Sequence, residues 1–313
     1  MTRVIDQNQA ERLLARLDVH QAMRGMFASL AEGRAVQPAQ QLVEFPGGGD
    51  FINYLGVLAD AGVYGVKTSP YIPGPQGATV TAWTLLMSMS SGQPLLLCDA
   101  KSLTTARTAA TTAVAVEELA PAGARHLAII GSGPVALTHL HYAKNLRDWQ
   151  SIRLYSPSLA AKGEAERAAL LAEDARLQLC TSQEEAVREA EVILLCTSSA
   201  GPVLDPLSLG RNVLVTSIST NAPRAHEVPP SALASMDVYC DYRATTPGSA
   251  GEMRLAAEQG WSAEQIRGDL AELVSGRAGK PDYSRPVFFR SIGLGLEDMA
   301  LAHALHQLLE QDA

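Results

Sequence analysis

A short apolar run followed by a glycine turn constrains the fold of this chain more than any other feature of its sequence. Residues 127–130, Leu-Ala-Ile-Ile, are typical of a buried parallel strand, and the run stops at Gly131. Gly131, Gly133 and Ala136 give the spacing G-x-G-x-x-A, and residues 135–146 have helical apolar spacing. Such a turn lets the backbone approach a pyrophosphate and offers it free N–H groups at the helix start. The stretch predicts a dinucleotide site, although similar turns also form without any ligand.

The length and composition of the chain indicate its broad class. With 313 residues the chain can bury a sizeable core, and we expect two domains rather than one. A hydrophobic content of 47%, a charged content of 19% and a net charge of −8 are typical of a globular protein. Because a mildly acidic chain without a basic run lacks the positive surface that phosphate backbones require, no nucleic-acid partner is expected.

Neither a membrane nor a metal is indicated by the sequence. Six charged residues among the first twenty predict that no signal peptide or anchor begins the chain: Arg3, Asp6, Glu11, Arg12, Arg16 and Asp18. No apolar run is long enough to cross a bilayer. The four cysteines match no metal-binding spacing: Cys98, Cys180, Cys196 and Cys240. We expect reduced core thiols in a cytoplasmic protein without a metal site.

The pattern of secondary structure changes near Pro121. Before it we expect a mostly antiparallel sheet with helices: strands at 4–5 and 63–68, hairpins within 40–58 and 80–98, and helices at 7–17, 19–31 and 102–119. After it, strands at 127–130, 152–155, 177–180, 192–196, 213–217 and 238–240 are interleaved with helices at 135–146, 160–173 and 184–189. The apolar triplet 287–289 then precedes an amphipathic helix at 294–309. The second pattern is typical of a doubly wound parallel sheet.

The strand at 152–155 ends without the acidic residue that often holds the ribose of NAD. Ser156 and Ser158 follow it instead, with Lys162 nearby, and these groups tolerate a 2′-phosphate. NADP is therefore at least as well favoured as NAD, unless the acid comes from elsewhere. Thr197 and Ser217 end later strands at the edge where open sheets bind ligands, but either could instead cap a turn.

Two basic residues stand in unusual positions. Lys67 follows an apolar strand and enters a loop rich in glycine and proline, where it could offer a fixed cation to a small anion. A lone lysine is more often a solvated surface charge. Arg107 lies in a helix of small residues suited to burial, and a buried guanidinium needs an anionic partner. That partner could be a structural carboxylate or the anion of a substrate or cofactor.

Several segments together resemble the ornithine cyclodeaminase and mu-crystallin family over almost the whole chain. The matching segments are Gly65-Val66-Lys67-Thr68, the run 103–110 around Arg107, the Gly131 turn, Cys196-Thr197-Ser198-Ser199, Asn221-Ala222-Pro223 with Glu227, and Phe289-Arg290-Ser291-Ile292-Gly293-Leu294 with Asp298. The run around Arg107 and the segment at 289–294 are the most specific of these.

The resemblance implies an α/β fold with a Rossmann-type doubly wound parallel sheet. This NAD(P)-binding domain, at 121–290, would be inserted into an α+β substrate and dimerisation domain with a mostly antiparallel sheet, at 1–120 plus 291–313. The protein would be a homodimer joined through those antiparallel sheets. Members of the family bind NAD or NADP and transfer hydride at a carbon that bears nitrogen next to a carboxylate.

The resemblance also implies which residues form the site. Catalytic positions are Lys67, Arg107 and Asn221, and substrate-binding positions are Lys67, Arg107, Gln40 and Ile292. The positions expected at the cofactor are Arg107, Thr108, Gly131, Ser132, Gly133, Pro134, Val135, Ser156, Thr197, Ile218, Ser219, Thr220, Asn221 and Ser291.

Two departures from the cyclodeaminase pattern bear on the reaction. Gln40 stands in place of an arginine, and Asn221 stands in place of the acid/base aspartate. An amide cannot take up a proton near neutral pH, so Asn221 can orient a group but cannot act as a base. Oxidising ornithine needs such a base, whereas an iminium ion already carries its proton and mainly needs positioning. The sequence therefore favours reduction of a cyclic imine carboxylate such as pyrroline-2-carboxylate.

Two other functions stay open on the sequence alone. One is ornithine cyclodeaminase itself, which forms proline and ammonia with catalytic NAD, with Glu227 or a substrate amine in the role of the base. The other is a crystallin-like protein that binds NAD(P)H without turnover. In either case the partner is a small molecule, and no nucleic acid or membrane is expected.

Overall fold

The computed structural model describes residues 2–219 and 224–312, and these fall into two compact units. One unit contains the residues up to Thr108 together with those from Gly293 onward. The other is the continuous stretch Ala109–Ile292. In the described part of the chain, no helix is both long enough and apolar enough to span a membrane.

The elements of the described residues follow one another along the chain as expected for a mixed α/β protein. The strands are β1 (Arg3–Ile5), β2 (Ala35–Val36), β3 (Gln41–Phe45), β4 (Gly49–Leu58), β5 (Val63–Ile72), β6 (Thr79–Val80), β7 (Trp83–Ser88), β8 (Pro94–Asp99), β9 (His126–Ile130), β10 (Ser151–Tyr155), β11 (Leu177–Leu179), β12 (Val192–Leu195), β13 (Leu214–Ser217), β14 (Asp237–Cys240), β15 (Ile266–Asp269) and β16 (Val287–Arg290). The helices are α1 (Gln7–Leu14), α2 (Val19–Ala31), α3 (Lys101–Leu119), α4 (Pro134–Ala143), α5 (Glu164–Leu171), α6 (Gln183–Val187), α7 (Thr246–Ser249), α8 (Gly251–Ala257), α9 (Leu270–Val274) and α10 (Gly295–Gln311).

The first unit is organised around a sheet with the order β1-β8-β7-β5-β4-β2, with β3 on β4 and β6 on β5. All of its pairs are antiparallel except β1 with β8. Helix α10 packs closely against β4 and β5 because both strands have glycines there. A Cβ on Gly56 would lie 2.9 Å from the Leu296 nitrogen, and one on Gly65 would lie 2.7 Å from Met299 Sδ. This close approach brings the first turn of α10 against the strands.

The second unit is an eight-stranded sheet with the order β11-β10-β9-β12-β13-β16-β14-β15. Every neighbouring pair in it is parallel. Strand β12 is apolar throughout and β9 is apolar after His126, because helices cover both faces of a doubly wound sheet. The chain order reverses between β9 and β12, and ligands bind at such a reversal beyond the carboxyl ends of the strands.

The fold class predicted from the sequence is confirmed, and a few element predictions were wrong. The expected helix at 160–173 is a 3-10 turn (Pro157–Ala161) followed by α5, because the extended backbone of Gly163 separates the two. Helix α1 ends at Leu14 rather than at 17, and α6 covers Gln183–Val187 rather than 184–189. The triplet 287–289 belongs to β16, which lies between β13 and β14 although it comes last along the chain.

Candidate functional site

The glycine turn after β9 leaves the backbone uncovered. Gly131 has a φ of +134°, and a Cβ there would lie 2.4 Å from the carbonyl oxygen of Cys196, so only glycine fits. Gly133 is the N-cap of α4, with Pro134 at the first helical position. No heavy atom lies within 4 Å of where a Gly133 Cβ would be. A pyrophosphate therefore has room beside the unpaired N–H groups that begin α4.

An open cleft of about 790 Å³ lies beside this turn, at the carboxyl ends of four neighbouring parallel strands. It brings together nine of the predicted cofactor residues: Gly131, Ser132, Gly133, Pro134, Val135, Ser156, Thr197, Ile218 and Ser219. Among the described residues that line it, none has a charged side chain. The bare glycine turn, the volume and the many hydroxyl groups fit a dinucleotide.

Three serine hydroxyls form a cluster at the β10 side of the cleft. Ser156 Oγ lies 2.6 Å from Ser158 Oγ, and Ser132 Oγ lies 3.0 and 3.2 Å from these two atoms. This cluster occupies the place where NAD-specific sites hold an acid. Lys162, which the sequence placed nearby, lies 3.5 Å from Glu166 and does not line the cleft. The hydroxyls are thus the polar groups that line this side of the cleft.

A buried carboxylate organises the other side of the cleft. Glu227 is fully buried, and each of its two oxygens accepts two hydrogen bonds. Oε1 accepts from the backbone N–H and the hydroxyl of Thr197, at 2.8 and 2.7 Å. Oε2 accepts from the Ser217 hydroxyl and the Ser219 N–H, at 2.7 and 3.0 Å. Glu227 therefore connects the ends of β12 and β13 through four hydrogen bonds. Because both of its oxygens are occupied by these donors, a role as a substitute base is disfavoured.

Cys196, at the end of β12, also lines the cleft. Burial, and then the negative charge of Glu227, raise the pKa of its thiol well above the usual range. The thiol stays protonated at neutral pH and is no nucleophile.

A second set of candidate site residues lies in the first unit, where two cations and two carboxylates are buried together. Lys67 Nζ on β5 lies 3.0 Å from Asp298 Oδ2. Arg107 on α3 donates from Nε to Asp298 at 3.1 Å and from Nη1 to Glu297 at 2.9 Å. The side chains of all four are at most 4% exposed. A polar cluster of this kind is stable only with close pairing, which explains why the sequence places acids at the start of α10.

The environment of Lys67 lowers the pKa of its ammonium group. Its ammonium lies 4.1 Å from the ring centroid of Tyr54, the residue opposite it on β4, and 3.4 Å from the Thr104 hydroxyl. Burial and the nearby Arg107 lower the pKa of Lys67 to about 8, against the opposing effect of Asp298. Lys67 therefore titrates close to the physiological range.

Arg107 remains a permanent cation. Burial acts to lower its pKa, but the facing carboxylates of Asp298 and Glu297 outweigh that effect and raise it. The guanidinium also limits which residue can stand two positions before α10. Gly293 has a φ of +77°, and a Cβ there would lie 2.1 Å from Arg107 Nη1. Gly293 is required both for the backbone turn and for the space that Arg107 fills.

The other predicted site residues occupy varied positions. Gln40 precedes β3 and is half-buried, and the described residues provide no partner for its buried Oε1. Thr108 donates its hydroxyl to the Thr104 carbonyl within α3. The Ser291 hydroxyl and the Ile292 N–H both donate to Asp241, at 3.0 and 2.7 Å. Thr220 and Asn221 lie outside the described residues.

Sequence reasoning missed three residues that the structure places at these sites. They are Tyr54 beneath Lys67, Glu297 beside Arg107, and Asp241 behind Ser291. Only Glu297 had a usable signal, because adjacent acids in an otherwise apolar helix indicate a partner cation. The positions of Tyr54 and Asp241 depend on strand pairing, which the sequence does not reveal.

The chain is similar to known proteins along almost its whole length. The family model described as "Ornithine cyclodeaminase/mu-crystallin family" matches residues 2–312. The chain is 69% identical over 307 residues to the NAD(P)H-dependent anabolic L-arginine dehydrogenase DauB of Pseudomonas aeruginosa, covering 97% of this chain and 96% of that protein.

Solved structures show the same fold. The Δ1-pyrroline-2-carboxylate reductase of Thermococcus litoralis, in complex with NADH and L-proline, gives a TM-score of 0.89 at 22% identity, over 99% of this chain and 98% of that one. An archaeal alanine dehydrogenase dimer with bound NAD gives a TM-score of 0.88 at 24% identity, over 100% and 97% of the two chains.

Proposed function

The chain belongs to the ornithine cyclodeaminase/mu-crystallin family, and from this premise we propose that it interconverts L-arginine and its 2-oxo acid. The protein is an NAD(P)-dependent oxidoreductase of amino or imino acids. The finer assignment to arginine is supported by the 69% identity to a protein named for that activity. In the reductive direction, the 2-oxo acid, ammonia, NAD(P)H and a proton give arginine, NAD(P)⁺ and water.

The observation that carries this proposal is the pair of buried cations in the first unit. A 2-oxo acid and an amino acid share a carboxylate next to the reacting carbon, and a fixed cation pair can hold that group. Lys67 and Arg107 are both held rigidly by Asp298, so little side-chain entropy remains to be lost on binding. Hydrogen bonds to the two acids use Nε and Nη1 of Arg107, and we assign Nη2 to the substrate.

The cleft beside Gly131 is the proposed site of the dinucleotide. Gly131 and Gly133 leave space for the pyrophosphate, and the serine cluster faces the adenosine ribose. When bound, NAD(P)H supplies the hydride that reduces the imine carbon. The chain itself supplies orientation and a dry, fixed environment for the charged substrate.

Asn221 explains why we favour the reductive direction. Its amide cannot accept a proton, so the chain lacks at this position the base that oxidation of an ammonium group needs. The imine of a 2-oxo acid and ammonia is protonated before reduction and mainly requires positioning. Lys67 has a pKa of about 8 and can exchange a proton near neutral pH, which supports its assignment as a catalytic as well as a binding residue.

Reduction of a cyclic imine carboxylate, which the sequence favoured, uses the same step and stays a prediction for the same site. Ornithine cyclodeamination has less support, because the carboxylate of Glu227 is fully engaged by four donors. The alternative hypothesis, a crystallin-like binding protein, predicts nucleotide binding without turnover.

We also propose that two copies of the chain associate through the sheet of the first unit. One face of this sheet is covered by α10, whereas the opposite face leaves apolar side chains in solvent. Val43 is 53%, Phe51 38% and Ile72 42% exposed, and the strand register places them on the same face. An exposed apolar patch of this kind is typical of a protein interface. The four free, buried cysteines support a reducing, cytoplasmic location.

The experiment that tests the proposed reaction compares substrates. Purified protein is assayed for NADPH and NADH oxidation with the 2-oxo acids of arginine, lysine, ornithine and alanine, each with ammonia, and with pyrroline-2-carboxylate. We expect the highest kcat/KM with the 2-oxo acid of arginine. A higher kcat/KM with pyrroline-2-carboxylate would show that a cyclic imine carboxylate, and not the 2-oxo acid of arginine, is the preferred substrate. Nucleotide binding without oxidation would support the hypothesis of a crystallin-like binding protein.

A further inference from the structure

Ser219 combines three features that point to a ligand. It lines the cleft, and it has a φ of +43°, in the left-handed region that is costly for a residue other than glycine. Its hydroxyl oxygen is buried and has no hydrogen-bond partner among the described residues. A glycine would adopt this backbone without strain, so the hydroxyl is retained at a cost in stability.

Glu227 is the group that holds Ser219 in this conformation. Its Oε2 accepts the Ser219 N–H at 3.0 Å and the Ser217 hydroxyl at 2.7 Å, which ties the strained residue to the end of β13. The other oxygen ties Thr197 at the end of β12. One buried side chain thus sets the positions of two neighbouring strand ends that line the cleft.

The four donors around Glu227 require a carboxylate. A glutamine at this position would turn its NH₂ group towards either the Thr197 N–H or the Ser219 N–H. A hydroxyl can rotate and become an acceptor, but a backbone N–H cannot. One buried N–H would therefore lose its partner in either orientation of the amide.

The strand order indicates which half of the cofactor Ser219 meets. In a doubly wound sheet the dinucleotide lies across the point where the strand order reverses. The serine cluster lies at the end of β10, on one side of β9, whereas Thr197 and Ser219 follow β12 and β13 on the other side. With adenosine at the serine cluster, the nicotinamide half lies towards Ser219.

We propose that Glu227 is a positioning residue that holds the Ser219 hydroxyl in place to bind a polar group of the nicotinamide half of NAD(P)H. This role rests on the proposed function only in requiring that the cleft binds the dinucleotide. It assigns to Glu227 a task in cofactor binding that it performs through Ser219 and Thr197, without touching the cofactor.

Binding and stability measurements on five variants test the proposal. Dissociation constants for NADPH and for 2′,5′-ADP, which lacks the nicotinamide half, are measured by fluorescence and calorimetry, together with Tm. Ser219→Gly should raise Tm because it relieves the strained φ, yet weaken NADPH binding about three- to tenfold, as Ser219→Ala also should. Neither change should alter the binding of 2′,5′-ADP.

Glu227→Gln should weaken NADPH binding about tenfold or more with little effect on 2′,5′-ADP. Glu191→Gln is the matched control, because Glu191 accepts the N–H groups of Arg125 and His126 at the opposite, amino end of β9. Both N–H groups donate to one oxygen, which the glutamine amide keeps, so this variant should leave NADPH binding unchanged. In the double variant Glu227→Gln/Ser219→Ala, the two effects should combine to less than their product, because Glu227 acts partly through Ser219.

The proposal would be overturned if Ser219→Gly bound NADPH as tightly as the wild type. It would also be overturned if the increase in the dissociation constant of the double variant equalled the product of the increases in Glu227→Gln and Ser219→Ala. A parallel loss of 2′,5′-ADP binding in Glu227→Gln would show a general structural role instead. Failure of the proposed function would look different: the wild-type protein would bind neither NADPH nor NADH, or it would bind them and oxidise neither with any substrate of the panel.

Discussion

Lys67 carries its charge inside the protein because the surrounding groups compensate for lost water. Asp298, the ring of Tyr54 and the Thr104 hydroxyl contact its ammonium, while Arg107 repels it. Asp298 in turn bridges both cations. The sequence identified the two cations and offered a structural carboxylate or a ligand anion as alternatives for Arg107. The structure shows carboxylate partners, and the substrate remains a further, proposed partner.

The pKa of Lys67 predicts how binding of a carboxylate depends on pH. A pKa of about 8 means that the ammonium is charged below pH 8 and loses its proton as the pH rises through that value. We expect the inhibition constant of 5-guanidinovalerate, which has no group titrating between pH 6 and 10, to rise about tenfold per pH unit above 8. Lys67→Arg keeps its charge and should show no such rise. If the inhibition constant of the wild-type protein did not change up to pH 10, Lys67 would not bind the carboxylate.

The serine cluster predicts the effect of one added charge on cofactor choice. With the nucleotide bound as proposed, Ser156→Asp puts a carboxylate beside the 2′-phosphate of NADPH. Two unit charges 4 Å apart repel by about 4 kcal/mol at an effective dielectric of 20. We expect kcat/KM for NADPH to fall about a hundredfold or more, while that for NADH changes by a few fold at most. Ser208→Asp, on an exposed turn that does not line the cleft, is the control and should change neither. Equal losses with both nucleotides would show that the cluster does not face the 2′ position.

At the scale of elements, the strand, turn and helix at 126–143 could be predicted because their local pattern is strong. The position of β16 could not, since a four-residue strand placed between β13 and β14 is selected by long-range pairing. The same holds for the site. Glycine spacing pointed to the cleft, whereas the contact between the start of α10 and Lys67 depends on how α10 packs on β5. No local pattern encodes that packing.

The connection between β16 and α10 offers a test of this packing. Gly293 and Gly33 have similar positive φ values, +77° and +73°, but only Gly293 faces the guanidinium of Arg107. Alanine at either position should cost about 1–2 kcal/mol for the left-handed backbone. Gly293→Ala should cost about 1–3 kcal/mol more, because the new Cβ displaces Arg107 from its carboxylates, and should also weaken 5-guanidinovalerate binding. Equal losses of stability in the two variants, measured by urea unfolding, would argue against this contact.

At the scale of the whole molecule, the exposed apolar face of the first sheet predicts a dimer. Sedimentation should give a mass near twice the 33.2 kDa of one chain. The double variant Val43→Asp/Ile72→Asp should be monomeric, because two charges would have to be buried in the interface. Leu171→Asp, a comparable change at a 45% exposed leucine on α5 in the second unit, should stay dimeric. A monomeric wild type at micromolar concentration would contradict the proposed interface.

The most direct test of the central claim is the fate of labelled ammonia. The protein is incubated with NADPH, the 2-oxo acid of arginine and ¹⁵N-ammonia, and both the arginine and the oxidised nucleotide are measured. We predict L-arginine labelled at its α-nitrogen, with one NADP⁺ formed for each arginine. Absence of labelled arginine, or nucleotide oxidation that is not matched by arginine formation, would contradict the assignment of this chain as an arginine-forming oxidoreductase.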